Sequence, residues 1–116
     1  MKPKGRPQKI RFVEKMPKIY QFSPRGRPGR PEEIELSADQ LEALRLADYL
    51  NFDQAKGAAV LGVSRASFGR ILRQTRKLVA DALANGKIIR ISKSKPNIFL
   101  SKSIPDHSSN SPKNAA

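Results

Sequence analysis

Hydrophobic and polar positions fall into a helical period along the middle of this 116-residue chain and lose it at both ends. "ELSADQLEALRLADYL" opens a first helix, with Ser37 as its cap and Gln40 three residues on, which completes a capping box. Leu41 and Leu44 share one face of that helix. Leu46 and Leu50 lie elsewhere on the wheel, so the helix is expected to touch neighbours on more than one side. Asn51 and Phe52 break the pattern, and Asp53 can cap a second helix running to about Leu61. Ala55, Ala58 and Ala59 give it a small-residue face, with Ala58 small where the next helix crosses. Gly62 suits the left-handed position that ends a helix. Ser64 caps a third helix, which meets no breaker before Asn85-Gly86. Within it Phe68, Ile71, Leu72, Thr75, Val79 and Ala82 keep the i, i+3, i+4 spacing of one buried stripe.

Outside that region other patterns hold. Residues 1–31 contain six of the nine prolines, with Gly5, Gly26 and Gly29 among them, so helix is not expected there. Ile10–Val13 and Ile19–Phe22 read as short strands on their β-favouring side chains. "KIIRI", Lys87 to Ile91, reads as a further strand able to pair with one of them. Glu32, Glu33 and Glu35 read as charges that favour the start of the first helix through its dipole. Residues 92–116 carry seven Ser and few apolar side chains, and read as a disordered tail whose "NIFL" is the one apolar piece able to dock. The expected division is a basic Pro/Gly-rich arm at 1–31, a helical domain at 32–91 and the tail at 92–116. The fold class is mainly α: three helices, with short strands flanking them and a basic N-terminal arm.

Charge then says where a partner is to be sought. The net charge is +13, and its distribution is uneven. Residues 1–30 hold ten Lys+Arg against one Glu, residues 31–91 nine against eight, and residues 92–116 four Lys against one Asp. A nearly neutral core with a basic arm is a common layout among nucleic-acid binders. There is no Cys, hence neither a disulfide framework nor a thiolate metal site. The longest apolar run is far too short to span a bilayer, and no apolar segment follows the basic start as in a signal peptide. A cytoplasmic, nucleoid-associated protein that makes no membrane contact is expected.

Two short helices joined by a tight glycine turn make a helix-turn-helix, whose second helix enters a DNA major groove by its N-terminal turns. Ser64 frees that end to meet a phosphate, and Arg65 stands beside it. Ala66, Gly69, Arg70, Arg73 and Lys77 lie on the side away from the Phe68 stripe. Arg70 and Arg73 can reach guanine edges or phosphates, Ala66 can offer a methyl to thymine, and Gly69 lets the backbone come close. The competing reading is a plain helical hairpin with a solvated basic face.

"GVSRASFGRIL" and "ADALANGK", within a stretch reaching from "FSPRGRP" to "KIIRI", resemble uncharacterised protein family 0251, also called domain of unknown function 134. The resemblance covers about residues 5–91. It implies a predicted DNA binder with a helix-turn-helix similar to region 4 of sigma-70-type factors. Carried over, it implies base or phosphate contacts at Ser64, Arg65, Ala66, Ser67, Gly69 and Arg70. The family pattern has a longer polar residue where this chain has Gly69, and acidic residues where it has Lys56-Gly57.

Pro24-Arg25-Gly26-Arg27-Pro28 resembles the core of an AT-hook, in which an extended Arg-Gly-Arg lies in a narrow A·T minor groove. "KGRP" at Lys4–Pro7 resembles half of another. A Pro/Gly-rich connector held by phosphate attraction is the alternative for Arg25 and Arg27. An enzyme is not expected, and neither is a cofactor. The one His, His107, lies in the Ser-rich tail, and no phosphate-cradling loop or metal-ligand spacing occurs. The expected function is sequence-specific binding of double-stranded DNA by a transcriptional regulator, with the helix at about 64–84 in the major groove. The alternatives are an RNA-binding or ribosome-associated basic protein, and a sigma-like adaptor that touches RNA polymerase through its acidic first helix. A homodimer is a further candidate assembly.

Overall fold

The computed structural model describes residues 10–93 and 97–100. Helices form where the caps place them. Helix α1 spans Ala38–Leu44, and the Ser37 side chain accepts from Gln40 N while the Gln40 side chain answers to Ser37 N, closing the capping box. The chain then widens into a π-helical turn, Arg45–Tyr49, where Leu50 N donates to Arg45 O five residues back. This wider turn re-phases the helix face. It brings Leu46 fully into the core, off the line of Leu41 and Leu44. Asn51 takes a left-handed φ of 62° and ends the segment. Helix α2, Gln54–Leu61, is capped by Asp53, which accepts from Lys56 N. Gly62 at φ 83° turns the chain, and Ser64 caps α3, Arg65–Asn85, by accepting from Ser67 N. A left-handed Gly86 closes α3.

Five short strands complete the structure. Strands β2 (Gln21–Phe22), β3 (Glu33–Leu36) and β4 (Ile88–Ile91) form one sheet in the order β2-β4-β3. In it β4 pairs antiparallel with β2, Phe22 opposite Ile89, and parallel with β3, Ile34 opposite Ile89. Strands β1 (Arg11–Val13) and β5 (Ile98–Leu100) pair in parallel, with Phe12 opposite Phe99.

Helix α3 is long because it serves two cores. Its first half brings Phe68, Ile71 and Leu72 against Ala43, Leu46, Ala58, Val60 and Leu61. Its second half brings Ala82, with Leu78 and Val79, onto Ile34, Leu36 and Ile91 of the sheet. A third, smaller cluster joins Val13, Ala38 and Ile98. Burial of each large aliphatic or aromatic side chain contributes about 1.5–3 kcal/mol.

The strands expected in Ile10–Val13 and Ile19–Phe22 form, and β2 pairs with β4 as the reading of Lys87–Ile91 allowed, so these parts of the basic segment lie on the domain, with Val13 fully buried. Two expectations are corrected. The described part of the tail is not all disordered: Ile98 is buried and β5 pairs with β1. Glu33 and Glu35 stand on the exposed face of β3 instead of ahead of a helix, and Glu33 is paired with Arg90 on β4. Lys4–Pro7 and His107 lie outside the described residues.

The N-terminal segment is fixed to α1 by two buried carboxylates. Asp39 receives Arg11 Nη1 at 2.6 Å and the Ser37 hydroxyl. Burial pushes the Asp39 carboxyl up, but the Ser37 and Arg11 hydrogen bonds and the Arg11 charge outweigh it and hold the group below its ordinary value. Glu42 accepts from Glu14 N at 2.8 Å and from Arg45, whose other contact is Glu14. The acids of the first helix therefore face inward.

Candidate nucleic-acid interface

The outer face of α3 collects exposed cations, two of which have no partner among the described residues. Ser64, Arg65, Ala66, Arg70, Arg73 and Lys77 are exposed, and Ser67 and Gly69 are half-buried. Arg65 and Arg73 have no hydrogen-bond or ion-pair partner among the described residues. Arg70 folds back toward the helix start, where its Nη2 donates to Ser67 Oγ at 3.0 Å. The Ser67 amide is taken by the Ser64 cap, and the Arg65 and Ala66 amides of the first turn have no intrahelical acceptor, so the same end offers N–H donors. Asp81, one turn beyond Lys77, is held by Lys87 and Asn85, also feels the Lys77 charge, and ends the basic strip. The strip thus occupies the first thirteen residues of the helix, Arg65 to Lys77.

Other arginines are engaged internally. Arg76 forks onto both Asp48 oxygens, at 3.1 and 2.7 Å, and donating these hydrogen bonds to Asp48 raises its pKa. Arg90 does the same with Glu33, and Arg45 with Glu42. Uncompensated positive charge is what attracts an anionic polymer, and here it is concentrated beside a helix N-terminus.

Arg25 and Arg27 are placed elsewhere. The chain turns at Arg25-Gly26, with Gly26 at φ 88°, so the stretch lacks the extended shape an AT-hook needs. Arg27 Nη1 donates to Asn85 O at 2.8 Å, at the C-terminal end of α3. With about 1.5 Å of rise per residue, that contact lies roughly 30 Å along the helix from Ser64. The structure does not bring the two arginines to the basic strip.

A family model described as a protein of unknown function, DUF134, matches residues 1–96. This chain belongs to the DUF134 family. It is similar to a UPF0251 protein of Methanococcus maripaludis strain C5, with 48% identity over 89 residues, 76% of this chain and 68% of the relative. A UPF0251 protein of Prosthecochloris aestuarii is 47% identical over 88 residues, 75% of this chain and 57% of the relative. One from Desulfosudis oleivorans is 47% identical over 87 residues, 74% of this chain and 63% of the relative. The chain thus spans between about half and two thirds of the length of these relatives. No solved structure matches it.

Two features of this DUF134 chain were not legible as part of the site. Gln54, in the first turn of α2, stands exposed beside Gly69: a Cβ on Gly69 would meet its Oε1 at 3.3 Å. Gly69 is therefore flanked by a protein side chain on one side. Phe12 of β1 lies on the turn between α2 and α3, where a Cβ on Gly62 would meet its ring at 2.8 Å. The position of Gln54 right after the Asp53 cap was the only signal for the first. The second depends on a contact across fifty residues of chain, which carries no local signal. Among the described residues no group of acidic, His or Cys side chains is arranged to hold a metal ion, and no helix is long and apolar enough to cross a membrane.

Proposed function

We propose that this protein binds double-stranded DNA sequence-specifically and acts as a transcriptional regulator, with α2 and α3 as a helix-turn-helix of the sigma-70 region-4 kind. The observation that carries the reading is the strip of exposed cations Arg65, Arg70, Arg73 and Lys77 on the outer face of α3, of which Arg65 and Arg73 have no partner among the described residues. In this reading Arg70 and Arg73 face base edges, Ser64, Arg65, Ser67 and Lys77 face phosphates, and Ala66 meets a thymine methyl. Gly62 supports it, since its left-handed φ of 83° turns the chain between α2 and α3, and Ser64, Arg65 and Ala66 at the start of α3 are exposed.

The adaptor reading draws less support, because Asp39 and Glu42 of the acidic first helix are buried against the N-terminal segment. A second contact by Arg25 and Arg27 also draws less, because Arg27 is anchored on Asn85. Fluorescence anisotropy with a labelled duplex and a single-stranded RNA of matching sequence tests the proposal. Tighter duplex binding supports it, and tighter RNA binding moves the assignment to RNA.

A further inference from the structure

Between β1 and β2 the chain crosses α1 and the π-helical turn, leaving an open groove of about 680 Å³. Met16, Pro17, Ile19 and Phe22 line it from one side, and Leu44 and Tyr49 from the other. Ile19 is 55% exposed, Phe22 52% and Tyr49 78%. Large apolar side chains left together on a surface mark an interaction site. The groove is open to solvent, not enclosed, and so suits a chain segment better than a small molecule.

Charge selects the occupant. Lys15 and Lys18 border the groove and make no ion pair among the described residues. The acids at its edge are already engaged: Glu42 with Arg45 and the Glu14 amide, Asp48 with Arg76. Its uncompensated charge is therefore positive. A second copy would bring another +13 and, across a two-fold axis, the same two lysines. We infer that the groove docks an acidic amphipathic segment of a partner protein, with apolar side chains at helical spacing on Ile19, Phe22 and Tyr49 and carboxylates on Lys15 and Lys18. None of these residues belongs to the α3 strip, so the inference stands apart from the DNA reading.

Selection from a displayed library of random peptides of about 16 residues, roughly four helical turns, on the full chain tests it. Enriched peptides are expected to carry apolar residues three and four apart with an excess of Asp and Glu. Their affinity is expected to fall about tenfold in an Ile19→Ser, Phe22→Ser chain and in Tyr49→Ser, whose exposed ring makes misfolding no explanation. In a Lys15→Glu, Lys18→Glu chain the selected peptides turn basic, while Arg70→Ala with Arg73→Ala leaves binding unchanged. No enrichment, enrichment without acidic excess, or equal loss in the α3 variant overturns the inference. A concentration-dependent dimer abolished by the Ile19 and Phe22 substitutions also overturns it, in favour of a second copy.

Discussion

The ring of Phe68 fills the space that a side chain at position 57 would need: a Cβ on Gly57 would stand 2.5 Å from Phe68 Cζ. Phe68 is fully buried at the crossing of α2 and α3, so the ring has nowhere to go. Glycine at this point is a packing requirement, not a soft spot in the second helix. The crossing is set by Gly57, one residue before the Ala58 that the small-residue face suggested.

Gly57→Ala is therefore expected to destabilise by about 1–3 kcal/mol through overpacking. Helix propensity alone gives the opposite sign, a gain of up to about 1 kcal/mol. Chemical denaturation decides between them. Combining it with Phe68→Leu is expected to recover part of the loss, since the two sites share one space.

Acid stability depends on the Asp39 pair. Its folded carboxyl lies below the ordinary value of 3.8. Its contribution is thus complete above that value and is lost as pH falls through the lowered one. Asp39→Asn is expected to cost about 1–3 kcal/mol at neutral pH and to make the acid limb of the stability curve shallower. Urea midpoints measured between pH 2 and 7 (about the range in which carboxylates titrate) read this directly. An unchanged acid limb contradicts the assignment.

Arg27 distinguishes a helix-end anchor from a DNA contact. Arg27→Ala is expected to lower stability by a few tenths to about 1 kcal/mol, as loss of a cation at a helix C-terminus does. It is expected to leave the salt dependence of duplex binding unchanged. A slope lower by about one unit would return Arg27 to the DNA contacts.

The α3 cations divide by role. Arg70→Ala is expected to cost about 1–3 kcal/mol on the preferred site and to relax specificity there. Lys77→Ala is expected to weaken all sequences alike and reduce the salt slope by about one. Arg76→Ala, which only breaks an exposed pair with Asp48, serves as the control and is expected to change stability by about 1 kcal/mol or less. Titrations of each variant on specific and unrelated duplexes separate the three.

The helices were legible because their ends are local. Ser37 with Gln40, Asp53, Gly62, Ser64 and Gly86 each act within four residues of where they stand. The basic strip was legible for the same reason, being a face of one regular helix. β3 was missed because four residues of Glu-Ile-Glu-Leu alternate too briefly to outweigh the pull of acids toward a helix start. β5 was read as tail because its partner is 87 residues away, Arg11 opposite Ile98. The contact of Arg27 was not legible because its acceptor, Asn85 O, lies 58 residues on. Leu46 and Leu50 pointed only to contacts on more than one side of the first helix, and the π-helical turn that carries Leu46 into the core was not legible in them.

The most direct measurement is selection of bound duplexes from a random library at near-physiological salt, with the full chain and with Arg70→Ala. An enriched motif is expected for the full chain, loosening at one or two positions in the variant. No motif in either, or the same motif with equal loss on every sequence, contradicts base reading by α3.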